Sequence, residues 1–153
     1  MPELAIQING LEEFRKALSD YPRISGPIMQ RAITKSIYDL QARTVMLTPI
    51  KTGRLRGSFQ TAFSPLQGIL KVGVNYAIYV HEGTAPHQIR PVNKKALYWK
   101  GADHPVSFVN HPGTRANRFM ESGLHSARQA IEDNFAKALN EIVKTIANRT
   151  NRA

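Results

Sequence analysis

Apolar residues alternate at Leu4, Ile6 and Ile8 before Asn9-Gly10, which predicts a short strand over 3–9. Leu11, Phe14, Ala17 and Leu18 then follow a helical spacing, a short helix over 11–19 that Pro22 and Ser25-Gly26-Pro27 should break. Pro27 suits a first helical turn. From there Ile28, Ala32, Ile33, Ile37, Leu40, Val45 and Leu47 recur as one face of a long amphipathic helix, which closes before Thr48-Pro49. Gly53 to Leu55 turns the chain. Ser58–Phe63 and Gly68–Val74 read as a hairpin joined by Ser64-Pro65-Leu66-Gln67. Tyr76–Val80 is contiguous in its apolar residues and fits a strand or a short helix equally.

Residues 83–95 read as loop. Ala96–Lys100 and Val106–Val109 flank Gly101-Ala102-Asp103-His104-Pro105 as a second hairpin. Helical spacing returns over 118–148. It predicts a buried stripe of Phe119, Leu124, Ile131, Phe135, Leu139 and Ile142, with a frayed polar tail over 149–153. The pattern is that of a single α+β domain over 1–153. An antiparallel sheet packs against two long amphipathic helices, and a long loop and hairpin excursion spans 83–115.

Composition adds three constraints. At 153 residues and 42% hydrophobic, the chain can bury a core without a staple. It has no cysteine, so disulfides, thiolate metal sites and cysteine nucleophiles are excluded. The start, Met-Pro-Glu-Leu-Ala-Ile-Gln-Ile, has neither a basic n-region nor a long apolar run, so neither a signal peptide nor a membrane span is expected. The net charge of +10 favours an acidic partner: nucleic acid, an acidic protein surface or anionic lipid. The cations cluster at Lys51, Arg54, Arg56, at Arg90, Lys94, Lys95, Lys100, at Arg115, Arg118, and at Lys144, Arg149, Arg152.

Candidate chemistry is sparse. His81, His87, His104 and His111 fall between residues 81 and 111, but none pairs at helical i, i+4 spacing, so no stoichiometric zinc is expected. Ser58 or Ser107 with a histidine and Glu82 or Asp103 would make a triad only on paper, because there is no G-x-S-x-G elbow. Thr52-Gly53-Arg54 lacks phosphate-loop spacing and precedes a strand, so Gly53 reads as a positive-φ turn, with Leu55 dropping into the core and Arg54 and Arg56 facing outward. Tyr76, Tyr79, Tyr98, Trp99, Phe108 and Phe119 are interleaved with Arg90, Lys94, Lys95 and Lys100. They could stack bases, although Leu97-Tyr98-Trp99 within a strand favours packing one face into the core.

Three segments stand in order: Thr48-Pro49-Ile50-Lys51-Thr52-Gly53-Arg54-Leu55-Arg56-Gly57-Ser58, Tyr76-Ala77-Ile78-Tyr79-Val80-His81-Glu82-Gly83-Thr84, and His111-Pro112-Gly113-Thr114-Arg115-Ala116-Asn117-Arg118-Phe119. Together they resemble the head–tail joining and tail completion (neck) proteins of long-tailed phages and prophages. That family carries a TP-x-x-TG-x-L-R-x-S joint, a YA-x-Y-V-x-x-GT strand end and an HPGT-x-x-x-x-F entry into a final helix. The resemblance covers roughly residues 34 to 125. Ile50-Lys51 replaces a pair that is often acidic or polar.

The resemblance implies a structural virion protein of the head–tail junction or tail end, made in the host cytoplasm, with no catalysis and no cofactor. It implies a homo-oligomeric ring that meets head-completion, tail terminator or tail tube proteins, has no membrane contact and lies beside passing DNA. Candidate interface residues are Lys51, Arg54, Arg56, Arg90, Lys94, Lys95, Tyr98, Trp99 and Arg115. Trp99 and Tyr98 would be the aromatic anchors, and Gly53, Gly83 and Gly113 the turns that shape these surfaces. The alternative reading is a basic nucleic-acid-binding module. A prophage toxin or regulator is a weaker third, for which no residue speaks.

Overall fold

The computed structural model describes residues 19–150; the strand expected over 3–9 and nearly all of the helix expected over 11–19 lie outside the described residues. The architecture is α+β, with two long helices packed together and against small antiparallel sheets.

Helix α1 spans Tyr21–Leu47. It begins before Pro27, and neither Pro22 nor Pro27 breaks it. Pro22 lies in the first turn, where backbone N–H groups have no intrahelical partner to lose. Pro27 is exposed, while Ile24 and Ile28, which flank it around the helix, are buried and hold the turn in place. The helix stops at Thr48, whose ψ of 130° is the extended conformation demanded of a residue before proline.

Helix α3, Phe119–Thr150, runs antiparallel to α1, and its 32 residues take in the first two positions of the tail expected to fray. Ile24, Ile28 and Ala32 at the start of α1 meet Ala138 and Ile142 near the end of α3. In the middle, the buried Asn134 amide donates to the Ser36 hydroxyl at 3.3 Å and to the Asp39 carboxylate at 2.9 Å. Asp39 is held below the usual carboxylate range, first by this Asn134 bond and then by Lys35. The stability it contributes is present above the ordinary carboxylate pKa and is lost as pH falls through its lowered value. At the far end Gly123 lies directly on Thr44, which is fully buried and bonds its hydroxyl to the Leu40 carbonyl at 2.7 Å.

The buried stripe of α3 is therefore only partly the expected one: Phe119 and Ile142 are buried and Phe135 is half-buried against the first core, but Leu124 and Leu139 are not part of it. Phe119, Ala127, Asn134, Ala138 and Ile142 face α1, while Leu124 and Leu139 are both 54% exposed. Close approach of two helices selects the small residues Gly123, Ala127 and Ala138 for the seam, and the larger apolar side chains move to its flank. Ile142→Ala is thus expected to cost about 2–5 kcal/mol. Leu139→Ala should stay within about 1 kcal/mol of the parent. Urea melts of the two variants check the register, and equal losses would show that it is misassigned.

Strands β1 (Phe59–Ser64) and β2 (Gln67–Val72) form an antiparallel hairpin, Phe59 opposite Val72 and Ser64 opposite Gln67. Gly68 presses against Ile33 and Ile37 of α1, so the turn end of the hairpin sits on that helix. A second core gathers Leu55, Phe59, Ala77 and Phe119. The segment read as strand or helix is helix α2, Ala77–Glu82. A strand there would have placed alternate residues on opposite faces. The helix instead turns Ala77 and Val80 inward together and Ile78 and Tyr79 outward.

The excursion is an antiparallel ribbon. Thr84 pairs with Thr114, β3 (His87–Ile89) pairs with β4 (Val109–His111), and Leu97 pairs with Val106. The expected second hairpin thus shrinks to one bridge, and the regular strands lie nearer the base. Pro105 has no N–H to extend the ladder beside Val106, and a turn closed by Ala102 N–H to the Trp99 carbonyl at 3.0 Å begins two residues after Leu97. The sheet content is two separate two-stranded pieces among the described residues, where one sheet was expected.

Candidate interaction site

Each of the three sequence motifs sends a side chain into the second core: Leu55 from the first, Ala77 and Val80 from the second, Phe119 from the third. Phe119 is 1% exposed and meets both Phe59 and His81 edge to face, with centroids 6.2 and 5.2 Å apart. Much of the motif signal is therefore architecture. What the motifs leave at the surface falls in two places.

The first is a concavity of about 350 Å³ at the joint, lined by Pro49, Ile50, Lys51, Thr52, Gly53, Leu55, Tyr76 and Val80. Gly53 has φ of 79°, as a tight turn requires, and a Cβ there would meet open space. Gly53→Val should therefore cost about 1–3 kcal/mol through backbone strain alone. An unchanged thermal melt would show the turn to be ordinary. Lys51 and Arg54 are exposed beside it. Arg56 does not face outward with Arg54: its Nε donates to the Thr48 carbonyl at 2.8 Å and its guanidinium to the Met46 carbonyl at 3.0 Å. It closes the C-terminus of α1, where a cation meets unsatisfied carbonyls and the negative end of the helix dipole. Ile50 on the wall of the concavity, Met46 in the last turn of α1, and Ile78 and Tyr79 on α2 are 55–76% exposed. Sequence reasoning named Tyr79 only as a candidate stacking aromatic and did not select Met46, Ile50 or Ile78; the helical phase of α2 was the signal that could have pointed to Ile78 beside Tyr79.

The second place is the ribbon. Its base is made by the two Gly-Thr pairs of the second and third motifs. Thr84 and Thr114 exchange N–H to carbonyl bonds at 2.9 and 3.0 Å, flanked by Gly83 (φ 75°) and Gly113 (φ 88°). No residue from Thr84 to Thr114 is buried. Tyr98 and Trp99, expected to pack one face inward, are 68% and 49% exposed. Arg90, Lys94 and Lys95 lie along the same outer half, and Arg115 is exposed just past the base.

The histidines act as turn and packing groups. His87 Nδ1 lies 2.9 Å from the Ala85 carbonyl, and the Gly113 N–H donates to His111 Nδ1 at 3.1 Å. His111 then carries its proton on Nε2, so binding a metal there would require it to give up the Gly113 bond. His81 stands on Phe119 with Nε2 at 3.5 Å from Glu82 and 4.0 Å from Glu121. Arg118 pairs with Glu121 at 2.8 Å and reaches Glu82 at 3.8 Å, so these exposed groups tie α2 to the start of α3. No group of three or more metal-ligating side chains comes together among the described residues, and no helix among them is long and apolar enough to cross a membrane. No protein-family profile, curated protein or solved structure matches the chain.

Proposed function

We propose that this chain is a structural subunit of a phage head–tail junction or tail end, which assembles as a ring and performs no chemistry. The observation that carries the proposal is the joint. Two of the three motifs that resemble the neck family build one surface concavity, with the exposed Ile50 on its wall, and the elements beside it carry further exposed apolar side chains: Met46 in the last turn of α1, Ile78 and Tyr79 on α2. Several exposed large apolar side chains on the elements that build a hollow are the mark of a surface that a protein covers. In a ring each subunit offers two different surfaces, one to each neighbour, so the joint would be one of the pair.

Lys51 and Arg54 supply the polar rim of that interface. Arg56 supports it from behind by fixing the end of α1. The histidine ring nitrogens engaged by Ala85 and Gly113 serve the loops, in keeping with an assembly role. Head-completion, tail terminator or tail tube proteins are the remaining partners.

Mass photometry and negative-stain imaging of the purified chain test this reading. A discrete closed oligomer is expected. Ile50→Asp with Tyr79→Asp should return it to monomers without lowering the melting temperature, since both side chains are exposed. A chain that stays monomeric from nanomolar to high micromolar concentration, or rings indifferent to both substitutions, would overturn the assignment.

A further inference from the structure

We infer that the outer half of the ribbon, residues 90–108, is a nucleic-acid contact without sequence preference, in which lysines hold the phosphates and Trp99 stacks on an unpaired base. It does not depend on the ring, because every group involved belongs to one subunit.

The charge is one-sided. Arg90, Lys94, Lys95 and Lys100 stand against the single acid Asp103, and none of the four cations is paired with a carboxylate among the described residues. Arg90 is also held in place by its neighbours on the ribbon. Arg90 donates to the Gln88 side chain at 2.7 Å and lies 5.8 Å from the centroid of the Phe108 ring; Gln88 in turn donates to Asn110 across the ribbon at 3.2 Å. The Leu97–Val106 bridge and the Trp99–Ala102 turn present Tyr98, Trp99 and Lys100 together at the tip.

The chemistry favours a polyanion with aromatic faces over an acidic protein. Three of the four cations are lysines, which are depleted at protein–protein interfaces and serve as compact point charges on phosphates. Exposed aromatics interleaved with cations are how sequence-tolerant single-strand binders work, because every base offers a π-face. An aromatic tip seated on a neighbouring copy is the competing account of Tyr98 and Trp99.

Trp99 is the only tryptophan in the chain, so its fluorescence reports the tip alone. The full chain is titrated with a labelled 30-nucleotide single strand and the matching duplex across a salt series. Binding to both is expected, weakening linearly in log salt. In Lys94→Gln/Lys95→Gln/Lys100→Gln the duplex slope should fall by about 2.7, at about 0.9 per phosphate contact. Lys137→Gln/Lys144→Gln on α3 should leave it unchanged. Trp99 emission should be quenched by the single strand only, and Trp99→Ala should weaken that strand and spare the duplex.

Absence of binding at low salt overturns the inference. So does an arm variant that binds like the parent, or α3 substitutions that cost as much as those on the arm. Trp99 emission that ignores DNA but shifts with protein concentration would give the tip to a second copy and overturn the stacking. Circular dichroism melts of each variant separate these results from misfolding.

Discussion

Gly123→Ala is expected to lower the stability of the protein and Gly26→Ala to leave it nearly unchanged, although both place alanine in a helix. Helix propensity alone favours alanine over glycine by about 1 kcal/mol. At Gly26 nothing beyond the chain neighbours and the helix's own backbone lies within 4 Å of the new methyl group, but Gly26 precedes Pro27, whose ring crowds a Cβ on helical backbone, so the gain of about 0.4–1 kcal/mol should be largely offset. At Gly123 the Cβ would press on the Thr44 hydroxyl and stand 2.7 Å from Thr44 Cβ and 2.8 Å from its Cα. The last of these is backbone and cannot rotate away. Thr44 cannot yield by a side-chain turn without breaking its bond to Leu40 and moving into a fully buried space. The helices must separate, and overpacking of this kind costs about 1–3 kcal/mol or more. With backbone in the way the cost falls at the upper end, about 3 kcal/mol, so the net loss after the propensity gain is about 2 kcal/mol. At about 2–4 °C per kcal/mol for a chain of this size, the drop in melting temperature is about 4–8 °C. Differential scanning calorimetry of the two variants decides the matter: equal shifts would refute close packing at Gly123.

The stem of the ribbon should be as sensitive, but locally. Gly83 has φ 75° and ψ −174°, a region that belongs to glycine almost alone. A Cβ on it would strike the Thr114 carbonyl and stand 2.7 Å from the Ala116 nitrogen. Gly113, at φ 88°, would strike the Thr84 carbonyl in return. Gly83→Ala or Gly113→Ala should therefore cost about 1–3 kcal/mol in strain and put the two Thr84–Thr114 hydrogen bonds at risk, at about 0.5–1.5 kcal/mol each.

Because no residue of the arm is buried, this loss should free the ribbon and leave the α1–α3 pair folded. Hydrogen exchange reads it directly. The Thr84 and Thr114 amides should lose protection in either variant, while amides around Asn134 keep theirs. The double variant should cost less than the two single losses combined, since both break one stem. In the parent, amides between Arg90 and Val106 should exchange quickly in the free subunit and slow when a partner covers the arm. Full protection in the isolated subunit would make the ribbon an ordinary part of the domain.

The sequence by itself determined the body of α1 from Pro27 to Leu47, the β1–β2 hairpin and its Pro65-Leu66 turn, nearly all of α3, the positive φ at Gly53 and the burial of Leu55. Each rests on a local rule: a period, a breaker, or a backbone region that only glycine enters cheaply. Where neighbours in space compete with local preference, the sequence was insufficient. Pro22 and Pro27 stay inside one helix because Ile24 and Ile28 are anchored on Ala138 and Ile142. Periodicity found the face of α3 but favoured its large apolar residues; the approach of α1 gave the seam to Gly123, Ala127 and Ala138 and left Leu124 and Leu139 outside. Tyr76–Val80 had no period to decide it, and packing of Ala77 on Leu55 and Phe119 belongs to a helix.

Only the tertiary structure joined the two Gly-Thr pairs, thirty residues apart, into one stem, turned Arg56 back onto α1, and left Tyr98 and Trp99 in solvent. Those outcomes depend on which backbone groups meet across the fold. A one-dimensional pattern records what each residue prefers, and contact between distant segments is settled only when those preferences compete for the same space.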